Sequence, residues 1–142
     1  SALSRAPLKQ SFAITGSINQ FGEVQAVGGV NEKIEGFFRL CQARGLTGEQ
    51  GVIIPQSNII NLLLDDEVID AVRAGQFQIY AVRHVDQALA LLSGEEAGYA
   101  DQDNLFPAGS INARVVERLR SIAELDMDSD EGKAADSTPA TT

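Results

Sequence analysis

Between Glu23 and Arg44 the hydrophobic period of the chain changes, and a pair of glycines stands at the change. Glu23 to Val27 (EVQAV) alternates polar and apolar residues, as a strand with one buried face does. From Val30 onward the period is helical: at about 100° per residue, Val30, Ile34, Phe37, Phe38 and Cys41 fall on one side. A strand cannot pass into such a helix without a sharp change of direction, and Gly28-Gly29 supplies backbone free enough to make it. The helix is expected from Val30 to about Arg44, with Gly45 as the residue that ends it.

That helix carries a lysine in unusual company. Lys33 falls at the border of the apolar side, beside Phe37 and Leu40. The residues three and four positions away are Gly29, Val30, Gly36 and Phe37, so no carboxylate stands at helical pairing distance. The helix's own acids, Glu32 and Glu35, point elsewhere with Asn31, Arg39 and Gln42. Two roles fit such a lysine. The positive end of the helix macrodipole and partial burial both disfavour its charged form and would lower its pKa; a lysine brought down to roughly 7–8 serves as a general base. Alternatively, the stem lies along apolar surface while the ammonium reaches water.

The remaining pattern alternates strands and helices. Ser11 to Thr15 (SFAIT) reads as a strand, Gly16 to Gly22 as a turn, and Glu23 to Val27 as the returning arm of an antiparallel hairpin. Gly51 to Ile54 (GVII), ahead of Pro55, suits an interior strand. Ser57 or Asn58 is placed to cap a short helical turn over IINLLL, and Asp65 or Asp66 a helix through Ala74. Gly75 stops that helix before a strand at Phe77 to Val82. His84 to Leu92 then forms a helix with Val85, Ala88, Leu89 and Leu92 inward and Gly94 at its end. The expected class is α+β, a two-layer α/β arrangement on a mixed sheet. Residues 95–125 read as a polar linker, Glu95 to Pro107, followed by a helix capped by Ser110 with Ile111, Val115, Arg118, Leu119 and Ile122 along one stripe. Residues 126–142 are acidic, rich in Ser and Thr and almost free of large apolar side chains, and are expected to be disordered.

Composition narrows the chemistry. At 142 residues and 44% hydrophobic content, one domain with a real core is expected. A net charge of −9 argues against nucleic-acid binding, which needs a clustered basic surface. No apolar run approaches the roughly 20 residues of a membrane-spanning helix, and the N-terminus lacks the order of a signal peptide. No membrane association is expected, and the chain reads as cytoplasmic. It has no initiating Met and reads as a piece of a longer one. One His and one Cys make a His/Cys zinc site untenable, and Cys41, on the apolar helix face, is expected to be a packed thiol. His84 is the sole candidate for the base of a Ser-His-Asp triad, yet no serine has a Gly-x-Ser-x-Gly setting; Ser17 reads as a hairpin residue and His84 as a helix start. GGVNEK lacks the spacing of a phosphate-binding loop.

Several motifs in order do carry a resemblance. Thr15-Gly16, then Gly22-x-Val24-x-x-Val27-Gly28-Gly29-x-x-x-Lys33, then GVIIP at Gly51 to Pro55 and the closing VDQALALL helix, resemble the proteolytic domain of Lon-type ATP-dependent proteases over roughly Ser11 to Leu92. GGVNEKIEGFF and CQARGLTGEQGVIIP follow a bacterial Lon-related branch rather than Lon itself. The resemblance implies a Ser-Lys dyad in which Lys33 is the general base, Thr15 hydrogen-bonds and orients its amine, and Gly28 and Gly29 let the backbone pass close to the site. It also implies unfolded protein substrates, a ring of identical subunits (generally a hexamer), and an ATP-dependent module that is not in this chain, so that no cofactor is expected here. The family's nucleophilic serine lies further upstream of the lysine than this chain reaches, because Ser1-Ala2-Leu3 matches the end of the helix that follows it. On that reading residues 1–94 are the C-terminal part of the proteolytic domain, without its nucleophile, and are inactive alone. The competing expectation is a non-catalytic oligomerisation or partner-binding module on the same fold.

Overall fold

A computed structural model describes residues 1–135, with side chains described as far as Leu125. Two units are distinguished: Leu8–Glu95, and Ser1–Pro7 together with the residues from Glu96 onward.

The first unit is built on the strand Gly51–Pro55 (β4), every residue of which is buried. An interior strand covered on both faces needs apolar side chains throughout rather than alternation, and GVIIP provides them. Two strands lie parallel on its two sides: the shorter Phe12–Ile14 (β1), with Ala13 opposite Val52, and Gln78–Val82 (β5), with Tyr80 opposite Ile53. The close pairing to β5 explains Gly51, where a Cβ would stand 2.7 Å from the Gln78 carbonyl oxygen.

Val52 and Ile54 pack on one face with Val30, Ile34, Phe38 and Cys41 of the helix Val30–Arg44 (α1), with Val68 and Ala71 of the helix Asp66–Arg73 (α2), and with Phe77. Phe38 and Phe77 meet edge to face at 5.3 Å. On the other face Ile53 packs with Val82 and with Ala88 of the helix Val85–Ser93 (α3), supported by Phe12, Tyr80 and Leu92. The α+β class with both parallel and antiparallel pairing therefore holds. Successive apolar side chains of β4 serve both faces of the sheet, and each face carries helix.

The antiparallel component differs from the expected hairpin. It is formed by Ser17–Ile18 (β2) and Val24–Gln25 (β3), with Ser17 opposite Gln25, whereas SFAIT is taken up in parallel pairing to β4. The turn lies at Asn19, whose Oδ1 accepts from the backbone N–H groups of Phe21 and Glu23, both at 3.0 Å. This Asx turn fixes where the ribbon reverses.

Helix α1 has the expected bounds, with Gly45 at its C-terminal end. The short helical turn comes earlier than IINLLL: it is a 3-10 helix over Gln56–Asn61, and Asn58 lies within it rather than capping it. Asp65 occupies the N-cap position of α2 without a side-chain cap bond, its carboxylate being engaged by Arg39 at 2.8 Å. His84 caps α3 in a reciprocal arrangement with Gln87: His84 Nδ1 accepts from the Asp86 N–H and Gln87 Oε1 accepts from the His84 N–H.

In the second unit the helix Ile111–Ala135 (α4) starts at Ser110, whose Oγ accepts from the Ala113 N–H at 3.3 Å. The segment read as a linker folds onto the first turn of α4, the Ile111 and Asn112 N–H groups donating to the Glu96 and Ala97 carbonyls. Leu119 is half exposed, so the apolar stripe narrows along the helix. The helix runs past Leu125 to Ala135, a stretch that no proline interrupts. The rest of the expected tail, 136–142, lies outside the described residues. No helix among the described residues is long and apolar enough to cross a membrane.

Candidate active site

Thr15 is one residue past β1, and its N–H donates to the Ile53 carbonyl at 3.0 Å, extending the ladder onto β4. Lys33 lies in the first turn of α1, where its N–H donates to the Gly29 carbonyl at 3.2 Å. Strand and helix bring the two side chains together across 18 positions of sequence: Lys33 Nζ donates to Thr15 Oγ1 at 3.1 Å. Among the described residues no carboxylate forms an ion pair with Lys33. A hydroxyl that accepts an N–H from an amine also sets the direction of the amine's lone pair, which is what proton abstraction requires of a base.

Two expectations about the lysine need correction. Lys33 is exposed rather than partly buried, standing beside β1, the edge strand of its sheet. Glu32 does not point away: with Thr15, Lys33, Gly36, Phe37 and Leu40 it lines an open cavity of about 630 Å³. The cavity is therefore an apolar trough with one cation, one anion and one hydroxyl at its edge.

The glycines divide their work. Gly29 is the N-cap of α1 at φ 67°, ψ 28°, a left-handed conformation that a residue with a Cβ adopts at a cost. A Cβ on Gly28 would meet nothing within 4 Å, so no close passage of backbone demands a glycine there.

Two asparagines anchor the turn, and sequence reading missed both. Asn58, only 4% exposed, accepts from the Val27 N–H at 3.1 Å and donates to the Val27 carbonyl at 3.0 Å. Asn31 donates to the Asn61 carbonyl at 3.2 Å and accepts from the Leu63 N–H at 3.1 Å. Further along α1, Glu35 accepts from the Asp65 N–H and Arg39 pairs with the Asp65 carboxylate. No local signal could have revealed Asn58, since its partner lies 31 residues earlier.

The other candidates fall outside the site. His84 Nε2 lies 3.0 Å from the Phe21 carbonyl oxygen and the ring caps α3, while Ser17 Oγ donates across the ribbon to Gln25. Cys41 is buried in the core, which pushes its thiol above the ordinary 9.0, with Arg44 pulling partly the other way. Among the described residues no group of three or more His, Cys, Asp or Glu is placed to hold a metal ion.

Known proteins resemble the chain over this part of the sequence. Residues 1–93 match the family model of the Lon protease C-terminal proteolytic domain. The chain is 49% identical over 124 residues to a Lon protease homolog of Haemophilus influenzae and 59% identical over 92 residues to one of Escherichia coli, covering 87% and 65% of this chain. An archaeal Lon protease of Methanocaldococcus jannaschii is 40% identical over 92 residues, 65% of this chain. The chain spans only 21%, 16% and 12% of the lengths of these three relatives. With the family match over most of Leu8–Glu95 and the family's motifs placed on the edge strand and helix just described, the chain belongs to the Lon protease proteolytic-domain family.

Proposed function

We propose that this chain supplies the general base of an ATP-dependent serine endopeptidase acting on unfolded proteins, with Lys33 as the base and Thr15 as the residue that orients it. The observation that carries the reading is the Lys33 Nζ to Thr15 Oγ1 hydrogen bond at 3.1 Å, made where no carboxylate among the described residues forms an ion pair with the lysine. The nucleophile in this reading is a serine from a segment ahead of Ser1, seated over the trough between the free edge of β1 and α1. Its hydroxyl proton passes to the Lys33 amine as oxygen attacks the peptide carbonyl, and the same proton passes to the leaving amine as the C–N bond breaks. Seating that segment also excludes water from Lys33, supplying the desolvation that favours the neutral amine. The chain alone would then be inert. ATP would act in a separate module, with no cofactor held by this chain, and the intact enzyme would be a ring, generally a hexamer, in the cytoplasm.

The exposure of Lys33 favours a second reading, a non-catalytic oligomerisation or partner-binding module in which the lysine reaches solvent. Peptide hydrolysis by an N-terminally extended protein, compared with its Lys33→Ala variant and with this chain, separates the two. Cleavage by the extended protein alone, lost in a folded Lys33→Ala variant, supports the dyad. A folded, assembled and inert extended protein, indifferent to Lys33, overturns it in favour of the module.

A further inference from the structure

The pair formed by Lys33 and Thr15 depends on two elements that are separate in sequence, and one short segment holds both. At Ile53 the backbone carbonyl of β4 fixes the Thr15 N–H. Five residues further along the same segment, Asn58 fixes both backbone polar groups of Val27. We infer that Asn58 is a positioning residue for the lysine: its carboxamide pins the chain immediately before Gly28-Gly29 and thereby sets where α1 begins and where Lys33 Nζ stands against Thr15. This inference rests on the role proposed above for Lys33.

The physical need for such a clamp lies in the glycine pair. Two consecutive glycines leave the backbone more conformational freedom than any other dipeptide, so local chemistry does not determine the angle at which the helix leaves the ribbon. Gly29 offers no side-chain cap to the first turn of α1. Direction must therefore come from outside. The Asn58 carboxamide copies a strand partner by presenting one acceptor and one donor to a single residue, Val27, and it does so from an almost fully buried position. Such a bidentate bond fixes orientation as well as distance. Asn31 repeats the device on the far side of the turn through the Asn61 carbonyl and the Leu63 N–H, again from the segment that follows β4. The glycine pair is thus held at both ends by one stretch of chain, whose other end holds Thr15. Core hydrophobic contacts anchor α1 from Val30 through Ile34 and Phe38, but they are non-directional, so the two carboxamides supply the directional restraint on either side of the turn.

The test is steady-state peptide hydrolysis by the full-length protein carrying Asn58→Ala or Asn58→Ser, each with its melting temperature measured, beside Lys33→Ala. A misplacement of catalytic groups by about 1 Å costs on the order of 10²-fold. Asn58→Ala should therefore lower kcat by at least about tenfold and up to that limit, with KM within about twofold of the parent, because substrate contacts are untouched. Asn58→Ser, smaller and able to keep one of the two bonds, should fall between the parent and Asn58→Ala. A residue with a merely structural role would lower the melting temperature and leave kcat of the folded enzyme unchanged. Variants that are folded at the assay temperature and keep the parental kcat, or that change KM alone, overturn the inference. If Asn58→Ala melts below that temperature, Asn58→Ser and assays at reduced temperature give the same decision on kcat. Failure of the underlying reading is seen separately, as a Lys33→Ala variant that retains activity.

Discussion

Replacing Gly28 and Gly29 by alanine, one at a time, should change stability in opposite directions although the two residues are adjacent. At Gly29 the backbone sits at φ 67°, ψ 28°. An L-residue there costs roughly 1–2 kcal/mol, while the reduced freedom of the unfolded chain returns about 0.4–1 kcal/mol. Sterics add little, since the nearest atom to the new Cβ is Glu32 Oε2 at 3.7 Å, an ordinary contact. Gly29→Ala should thus destabilise by about 1 kcal/mol, the difference of those two ranges. At Gly28 the backbone is not left-handed and a Cβ meets nothing within 4 Å, so only the unfolded-state effect survives. Gly28→Ala should stabilise by up to about 1 kcal/mol. The two variants should therefore differ by about 1–2 kcal/mol, the left-handed cost alone, because the unfolded-state gain is common to both. Urea unfolding followed by far-ultraviolet circular dichroism measures this, with the denaturant slope unchanged as the control that only stability has moved. A Gly28→Ala variant as destabilised as Gly29→Ala would refute the reasoning. It would mean that both glycines are there for close approach of backbone, and that the open space beside Gly28 is filled in solution.

Two further perturbations probe the site and the core. Thr15→Val removes the hydroxyl while keeping the shape of the side chain. In the full-length protein it should lower kcat by about tenfold or more, short of the roughly 10²–10⁴-fold of losing general-base catalysis outright, while moving stability by no more than about 0.5 kcal/mol because the bond is exposed; parental kcat would remove Thr15 from the mechanism. Cys41 is predicted to react slowly with a thiol reagent in the folded chain and at once after unfolding. Burial holds its folded pKa above the ordinary 9.0, so the unfolded thiol ionises first. The thiol's contribution to stability is accordingly complete below about pH 9 and declines as pH rises toward and through the folded value. Urea midpoints measured across that window should fall faster for the parent than for Cys41→Ala, and parallel curves would contradict the burial argument.

What the sequence disclosed, and what it did not, follows from how far each signal reaches. Helix α1 was legible to its last residue because Val30, Ile34, Phe38 and Cys41 keep the helical period and Gly45 stops it. Strand β4 was legible because a β-branched run between Gly51 and Pro55 has few other uses. The hairpin was misplaced because SFAIT has the composition of a strand but carries no mark of its partner. Nothing in the local pattern says that it pairs in parallel with residues about forty positions later. The exposure of Lys33 was hidden for a related reason: a helical wheel gives the side of the helix a residue occupies, not whether another element covers that side. Asn58 is, with Ser57, one of two candidate caps in the sequence because caps are local; a carboxamide that bonds 31 residues back has no local signature.

The geometry of the site is consequently a property of the core more than of its loops. Thr15 takes its place from the register of β1 on β4, where Phe12 opposes Gly51 and Ile14 opposes Ile53. Side chains alternate across a strand, so a slip of one residue would carry the Thr15 hydroxyl to the face of α3 and leave Lys33 without its partner. The register is protected by packing: Phe12 belongs with Ile53 and Tyr80 on one face, Ala13 with Val52 on the other, and a slip would exchange a phenyl ring for a methyl group on both. Phe12 also meets Tyr80 edge to face at 5.5 Å, a contact that a slipped strand could not make. The lysine takes its place from the same strand by another route, through Ile54 against Ile34 and Phe38 in the core and through the buried Asn58 just past the strand's end. A peptide unit of β4 and a carboxamide just beyond it thus fix two groups 18 residues apart to within a hydrogen bond, although neither touches the amine or the hydroxyl.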